Sequence, residues 1–166
     1  MDLLLELLRR EGIVKKGEVK LSSGEISDVY YDVKKAYGNP ALLSSLARRV
    51  YHQRNGDINF VAGFGIGGGP LAIAISLLYN IPLTIIRNEK KKHGTKREIE
   101  CYVPNSPDIG MVVDDVFTTG TSLLSTVKTI EKTGAKISEC YVVLKREDRP
   151  FEYPLRHLFV PEDFIF

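Results

Sequence analysis

Met111-Val112-Val113-Asp114-Asp115-Val116-Phe117-Thr118-Thr119-Gly120-Thr121-Ser122 joins an apolar run, two adjacent acids and a hydroxyl-rich turn in one short stretch. The apolar run ending at Asp114 has the character of a buried parallel strand, which shows no alternation when both of its faces are covered. The turn opens a helix, so the backbone N–H groups and hydroxyls of residues 118–122 stand at its positive end and form a cradle for an anion, most simply a phosphate. Carboxylate and phosphate repel, so Asp114 and Asp115 must face hydroxyls or a metal on another part of the same ligand. A sugar carrying a terminal phosphate satisfies both halves. Acids at the start of a helix can also act as caps, but two neighbouring carboxylates at the end of a buried strand repel each other and need a partner.

Outward from this stretch the chain repeats one theme. A strand at 58–62 leads to a glycine-rich loop, then come a helix at 70–79, a strand at 83–86, a basic loop, the strand 110–114, a helix at 121–133 and a strand at 137–144. Such alternation predicts an α/β fold, a central mostly parallel sheet flanked by helices. Ligands of these sheets bind at the carboxyl ends of the strands, where the glycine loop, the acid pair and Lys145-Arg146 all fall. Residues 2–10 form an amphipathic helix with Gly12 at the left-handed cap position. Val19 and Leu21 then alternate with polar residues, Ser22-Ser23-Gly24-Glu25 turns, and Val29-Tyr30-Tyr31-Asp32-Val33 reads as a second strand, together a small cap beside the sheet. Asn39 caps and Pro40 opens a helix running to about residue 54. The tail from Pro150 is expected to be a short irregular strand region packed on the body. The whole is one domain, with helix and cap at 1–36, core at 37–148 and tail at 149–166.

At 166 residues with net charge +2 the chain has the size of one domain and lacks the charge excess of a general nucleic-acid binder. Cys101 and Cys140 are too few and too far apart for a zinc site or disulfide framework, and point to a reduced, cytoplasmic setting. The N-terminal leucines are interrupted by Asp2, Glu6, Arg9 and Arg10, unlike a signal peptide, and no stretch is long enough to span a membrane.

Gly63-Phe64-Gly65-Ile66-Gly67-Gly68-Gly69-Pro70 follows a strand and precedes a helix, a context that lets backbone amides approach a phosphate. The alternative is that the run is only a tight structural turn. It has no Gly-Lys-Ser/Thr ending, and no acid closes the next strand as a dinucleotide site requires. Glu89-Lys90-Lys91-Lys92-His93-Gly94-Thr95-Lys96-Arg97-Glu98 lacks apolar anchors. It is either a solvated charge run or, given its place between two strands, a lid that closes on an anion and neutralises a polyphosphate leaving group.

Taken together, these residues resemble the type I phosphoribosyltransferase family, whose signature for phosphoribosyl pyrophosphate is similar to residues 112–122. Within it the branch that uses orotate is most alike: Leu21-Ser22-Ser23-Gly24, Ser27 and Tyr30-Tyr31-Asp32 resemble its cap motif, Arg87, Lys91, His93 and Gly94 its basic loop, and Ile99-Glu100 the residues after it. The resemblance implies transfer of ribose 5-phosphate to orotate, giving orotidine 5′-phosphate and pyrophosphate in pyrimidine biosynthesis, with Mg²⁺ carried on the cosubstrate and no direct protein ligand. It places Thr118, Thr119, Gly120, Thr121 and Ser122 on the 5′-phosphate and Asp114 and Asp115 on the ribose hydroxyls beside an oxocarbenium-like centre. Arg87, Lys91 and His93 fall on pyrophosphate, with Lys91 the mobile catalytic contact. Arg146 matches the arginine on the orotate carboxylate, and Thr118, Tyr30 and Tyr31 lie near the base. A homodimer is implied, the 88–98 loop of one subunit reaching its neighbour's site. The chain departs from the family pattern at Ser22, Asn88 and Gly67, where a basic residue is frequent. Transfer to a purine or another base is the nearest alternative. A sensor of the same cosubstrate that binds nucleic acid through Lys34, Lys35, Arg48, Arg49 and Arg54 is another. A dinucleotide-binding oxidoreductase rests on the glycine loop alone.

Overall fold

A computed structural model describes residues 2–20, 24, 26–87 and 97–165. Leu21, Ser22, Ser23 and Glu25 of the cap motif, and Asn88, Lys91 and His93 of the basic segment, lie outside the described residues. Helix α1 (Leu3–Glu11) is opened by the Asp2 carboxylate, which accepts from the amides of Leu4 and Leu5, and closed by Gly12 at φ 71°. Strands β1 (Val14–Lys20) and β2 (Ile26–Tyr31) form an antiparallel pair separate from the main sheet, the expected cap. The second strand stops before Val33, which instead opens helix α2 (Val33–Tyr37) and buries its side chain completely. Asn39 caps helix α3 (Pro40–Gln53), accepting from Ala41 and Leu42.

The core continues through β3 (Phe60–Phe64), α4 (Gly65–Tyr79), β4 (Leu83–Ile86), β5 (Ile99–Cys101), β6 (Ile109–Phe117), α5 (Thr121–Glu131), β7 (Lys136–Lys145) and β8 (Leu155–Phe159), then a 3₁₀ turn at Pro161–Phe164. The sheet order is β5-β4-β3-β6-β7-β8, parallel throughout except for β5 on β4. Along β6, Met111 and Val113 join a core covered by α1 to α4, while Val112 joins the opposite core under α5. Burial on both faces is why the run carries no polar alternation.

Several expectations shift. β3 starts later than residue 58, because Asn59 is engaged outside the ladder, donating to Asp108 and accepting from the Ile109 amide. The glycine run is mostly helix: α4 begins at Gly65 and takes Pro70 inside it. A Cβ on Gly63 would lie 2.5 Å from the Gly68 carbonyl oxygen, and one on Gly68 would overlap the Val113 carbonyl, so these glycines let the helix lie directly on β3 and β6. β6 runs on to Phe117, which puts Asp114 and Asp115 within the strand and not at its end. Three-residue β5 is too short to leave a pattern, and the tail forms a regular parallel strand, β8, started by the Cys140 amide on the Pro154 carbonyl. From β3 the chain goes out to β4 and β5 on one side and returns to β6 on the other, so the carboxyl ends of β3 and β6 form the switch point of the sheet. Among the described residues no helix is long and apolar enough to cross a membrane.

Candidate active site

A cleft of about 1090 Å³ opens at this switch point. Its floor is the first turn of α4 and Asp114, Asp115 and Val116 of β6, one wall is Thr118, Thr119 and Ser122, and the other is Arg146, Glu147 and Arg149 beyond β7. Lys34 enters from α2, and Val19, Lys20, Tyr30 and Tyr31 of the cap close the top.

Asp114 and Asp115 are 6% and 8% exposed. Each carboxylate accepts the next backbone amide, Asp115 N to Asp114 Oδ1 and Val116 N to Asp115 Oδ1, both at 2.9 Å. Burial, and after it the charge of Asp115, holds the Asp114 carboxyl well above the usual carboxylate range, with Lys34 pulling the other way. Lys34 Nζ donates to Asp115 Oδ2 at 2.9 Å. Burial alone would lower the pKa of this ammonium, but its bond to Asp115 and the nearby Asp115, Tyr30 and Asp32 charges raise it. A Cβ on Gly67 would stand 2.6 Å from Asp114 Oδ1 and 2.7 Å from Asp115 Oδ1. With the acids as they stand, a Cβ at 67 could be accommodated only if their carboxylates shifted. Below them lies the Tyr37 hydroxyl, buried and without a hydrogen-bond partner among the described residues. Burial, then the charges of Asp115 and Asp114, push its ionisation far up.

The turn between β6 and α5 leaves the first amides of α5 without a side-chain cap. Gly120, at φ 79°, is the N-cap of α5 and offers no side chain to the first amides. Thr121 N reaches Thr119 Oγ1 only at 3.5 Å, while the two threonine hydroxyls lie 3.0 Å apart. Uncapped amides at the positive end of a helix suit a phosphate. Any Cβ at 120 would press on the Phe117 ring at 2.7 Å and the Phe151 ring at 3.0 Å, so the tight turn needs glycine. Arg146 is fixed by its amide on the Phe117 carbonyl and reaches across to the cap, donating to Ser27 Oγ at 3.0 Å. Tyr31 is raised in pKa by burial, against the lowering charge of Arg146.

The fold thus brings together Asp114, Asp115, Thr118, Thr119, Ser122, Arg146, Tyr30 and Tyr31, with Gly120 and Thr121 shaping the turn. Arg87 is not among the residues lining the cleft; its guanidinium pairs with Glu100 at 2.8 Å. The basic face drawn from Lys34, Lys35, Arg48, Arg49 and Arg54 does not form as one surface: Lys34 enters the cleft, Arg49 pairs with Asp2 at 2.5 Å, and Arg54 lies 3.8 Å over the Tyr51 ring. Lys34, which the sequence placed only on a basic surface, and Tyr37 and Arg149, which it did not single out, are additions to the site region. Lys34 and Tyr37 sit on a helix too short for a periodic signal, and only the lysine after a buried valine at the end of the cap could have drawn notice.

Residues 35–154 match the family model described as a phosphoribosyl transferase domain. The chain is 39% identical over 145 residues to an orotate phosphoribosyltransferase of Methanothermobacter thermautotrophicus, covering 87% of this chain and 79% of that protein. It is 38% identical over 148 residues to one of Pyrococcus furiosus, covering 87% and 81%. The crystal structure of orotate phosphoribosyltransferase from Aeropyrum pernix superposes with a TM-score of 0.83 at 29% identity, over 98% of this chain and 96% of that one.

Proposed function

Because the chain belongs to the phosphoribosyltransferase family, we propose that it transfers ribose 5-phosphate from phosphoribosyl pyrophosphate to orotate, giving orotidine 5′-phosphate and pyrophosphate. The bond from the anomeric carbon to the pyrophosphate oxygen breaks and one to a ring nitrogen of orotate forms. The observation that carries this is the single cleft in which Asp114 and Asp115 stand beside the uncapped turn of α5, with Arg146 on the same rim. The turn amides and the Thr118, Thr119, Thr121 and Ser122 hydroxyls bind the 5′-phosphate. The acid pair takes the ribose hydroxyls, and its negative charge favours the positive centre that develops at the anomeric carbon. Lys91 and His93 are assigned to the departing pyrophosphate, as is Arg87, here bonded to Glu100.

Arg146 selects the base. A guanidinium held at the cleft wall can grip a carboxylate through two parallel hydrogen bonds, whereas a neutral purine would leave it unpaired. Tyr30 and Tyr31 offer ring surface beside it. Mg²⁺ would ride on the diphosphate, whose oxygens it prefers, and Asp114 and Asp115 would then serve the sugar. When bound it neutralises the leaving group.

The active unit is a homodimer in which the 88–98 loop of each subunit serves its neighbour. Helix α4 is apolar around its whole circumference, and Ile66, Ile73 and Leu77 lie exposed along one face of it. The assigned setting is a reducing cytoplasm, with Cys101 and Cys140 as free thiols. Pyrophosphate release, followed with donor, Mg²⁺ and a panel of bases, tests the proposal. Turnover confined to orotate is expected; turnover confined to a purine, or none with any base, contradicts it.

A further inference from the structure

We propose that Lys34 is a positioning residue for the acid pair: its ammonium holds Asp115 in the empty cleft and releases that carboxylate to the ribose hydroxyls when the phosphoribosyl donor enters. The inference rests on the phosphoribosyl transfer proposed above and adds a residue to it. Two buried carboxylates on consecutive residues cannot both stay charged without a cation close by. Lys34 Nζ, 2.9 Å from Asp115 Oδ2, is that cation. Its backbone is anchored, because Val33 and Ala36 of the same short helix are completely buried, while its side chain keeps 35% of its surface exposed. An anchored stem with a partly free tip can swing without moving the helix.

The exchange conserves charge pairing. A sugar diol brings hydrogen-bond donors that replace the ammonium on Asp115, and the donor's phosphates bring negative charge for the ammonium to meet, so neither partner of the broken pair is left buried alone. The titratable groups around the pair come from several elements. β6 supplies Asp114 and Asp115, α2 supplies Lys34 and Tyr37, the cap supplies Tyr30 and Asp32, and Cys140 faces Asp114 from β7. Gly67 contributes only backbone, close against both carboxylates. Among these groups Lys34 is the one cation in direct contact with either acid. Without it Asp114, whose proton affinity the Lys34 charge lowers, keeps its proton to still higher pH, and a protonated acid cannot accept from both hydroxyls.

Donor binding without any base, measured by calorimetry from about pH 6 to about pH 9, separates this role from a structural one. Relative to wild type, Lys34→Met should bind the donor roughly tenfold more weakly near the acid end and within about threefold at the alkaline end, since removing the cation raises the proton affinity of Asp114. Ionisation of the donor's own phosphates is common to all variants and cancels in the ratio. Lys34→Arg should restore the wild-type profile. Thermal unfolding checks that each variant is folded, and Lys34→Gln is read in place of Lys34→Met if the latter is not. A loss of equal size at every pH, or no loss, overturns the role of Lys34 while leaving the transfer reaction standing. A wild-type chain that does not bind the donor overturns both.

Discussion

Asp114 is under opposing demands. Folding favours its neutral form, because burial and the neighbouring Asp115 raise its pKa, whereas the proposed chemistry needs its charge. In the unfolded chain the same carboxyl has an ordinary, lower value. Between the two values the folded state holds a proton that the unfolded state does not, so wild-type stability rises as pH falls through that window. Asp114→Asn keeps an oxygen for the Asp115 amide and removes the charge. It should therefore raise stability at neutral pH by on the order of 1 kcal/mol, about 2–4 °C in unfolding temperature. The gain should shrink toward acid pH, and kcat/KM should fall roughly a hundredfold or more. A variant less stable at neutral pH would show that the carboxylate is comfortable when ionised. The acids and hydroxyls of this site were legible in sequence because their meaning is local: two charges and a turn within a few residues. Lys34 was not, since only the packing of α2 against β6 turns a surface-like lysine into the partner of Asp115.

Helix α4 and strand β6 fix the floor of the cleft through contacts that leave no room for a side chain. The two neighbouring glycines of α4 differ sharply in this respect. A Cβ on Gly68 overlaps the Val113 carbonyl, while one on Gly69 meets nothing nearer than Ile85 Cδ1 at 3.9 Å. Gly68→Ala should cost about 1–3 kcal/mol or more in urea unfolding as helix and strand are pushed apart. Gly69→Ala should be neutral or add up to about 1 kcal/mol from helix propensity. Equal effects at both positions would contradict the packing described. The order of strands and helices was readable from periodicity, and the Gly12 and Asn39 caps from residue type. The start of α4 was not: glycine's poor helix propensity makes residues 65–69 look like a loop, and the need for close contact with β3 and β6 overrides it. β5 escaped for a related reason, and β8 was expected only as an irregular strand region: both are short strands that owe their form to neighbours already in the sheet.

At the scale of the whole molecule, the apolar stripe on α4 and the cleft at the switch point belong to one design, since the same helix offers its first turn to the site and its outer face to solvent. Sedimentation equilibrium should return twice the 18.6 kDa chain mass, and Leu77→Glu should shift it toward the single chain; a monomeric wild type would contradict the assembly proposed. The α/β architecture followed from alternation alone, and residues 111–122 pointed to the cleft now proposed as the ligand site. The base rested on one arginine, whose partner across the cleft, Ser27, comes from the cap and so depends on how two distinct sheets meet. The account depends most on two halves of a single ligand being gripped by adjoining pieces of β6 and α5. A crystal structure with ribose 5-phosphate bound tests that directly. Asp114 and Asp115 should accept the ribose hydroxyls with Lys34 displaced from Asp115, and the phosphate should sit on the amides of residues 118–122. A sugar phosphate bound elsewhere, or one bound in the cleft with the acids turned away and the turn empty, would contradict it.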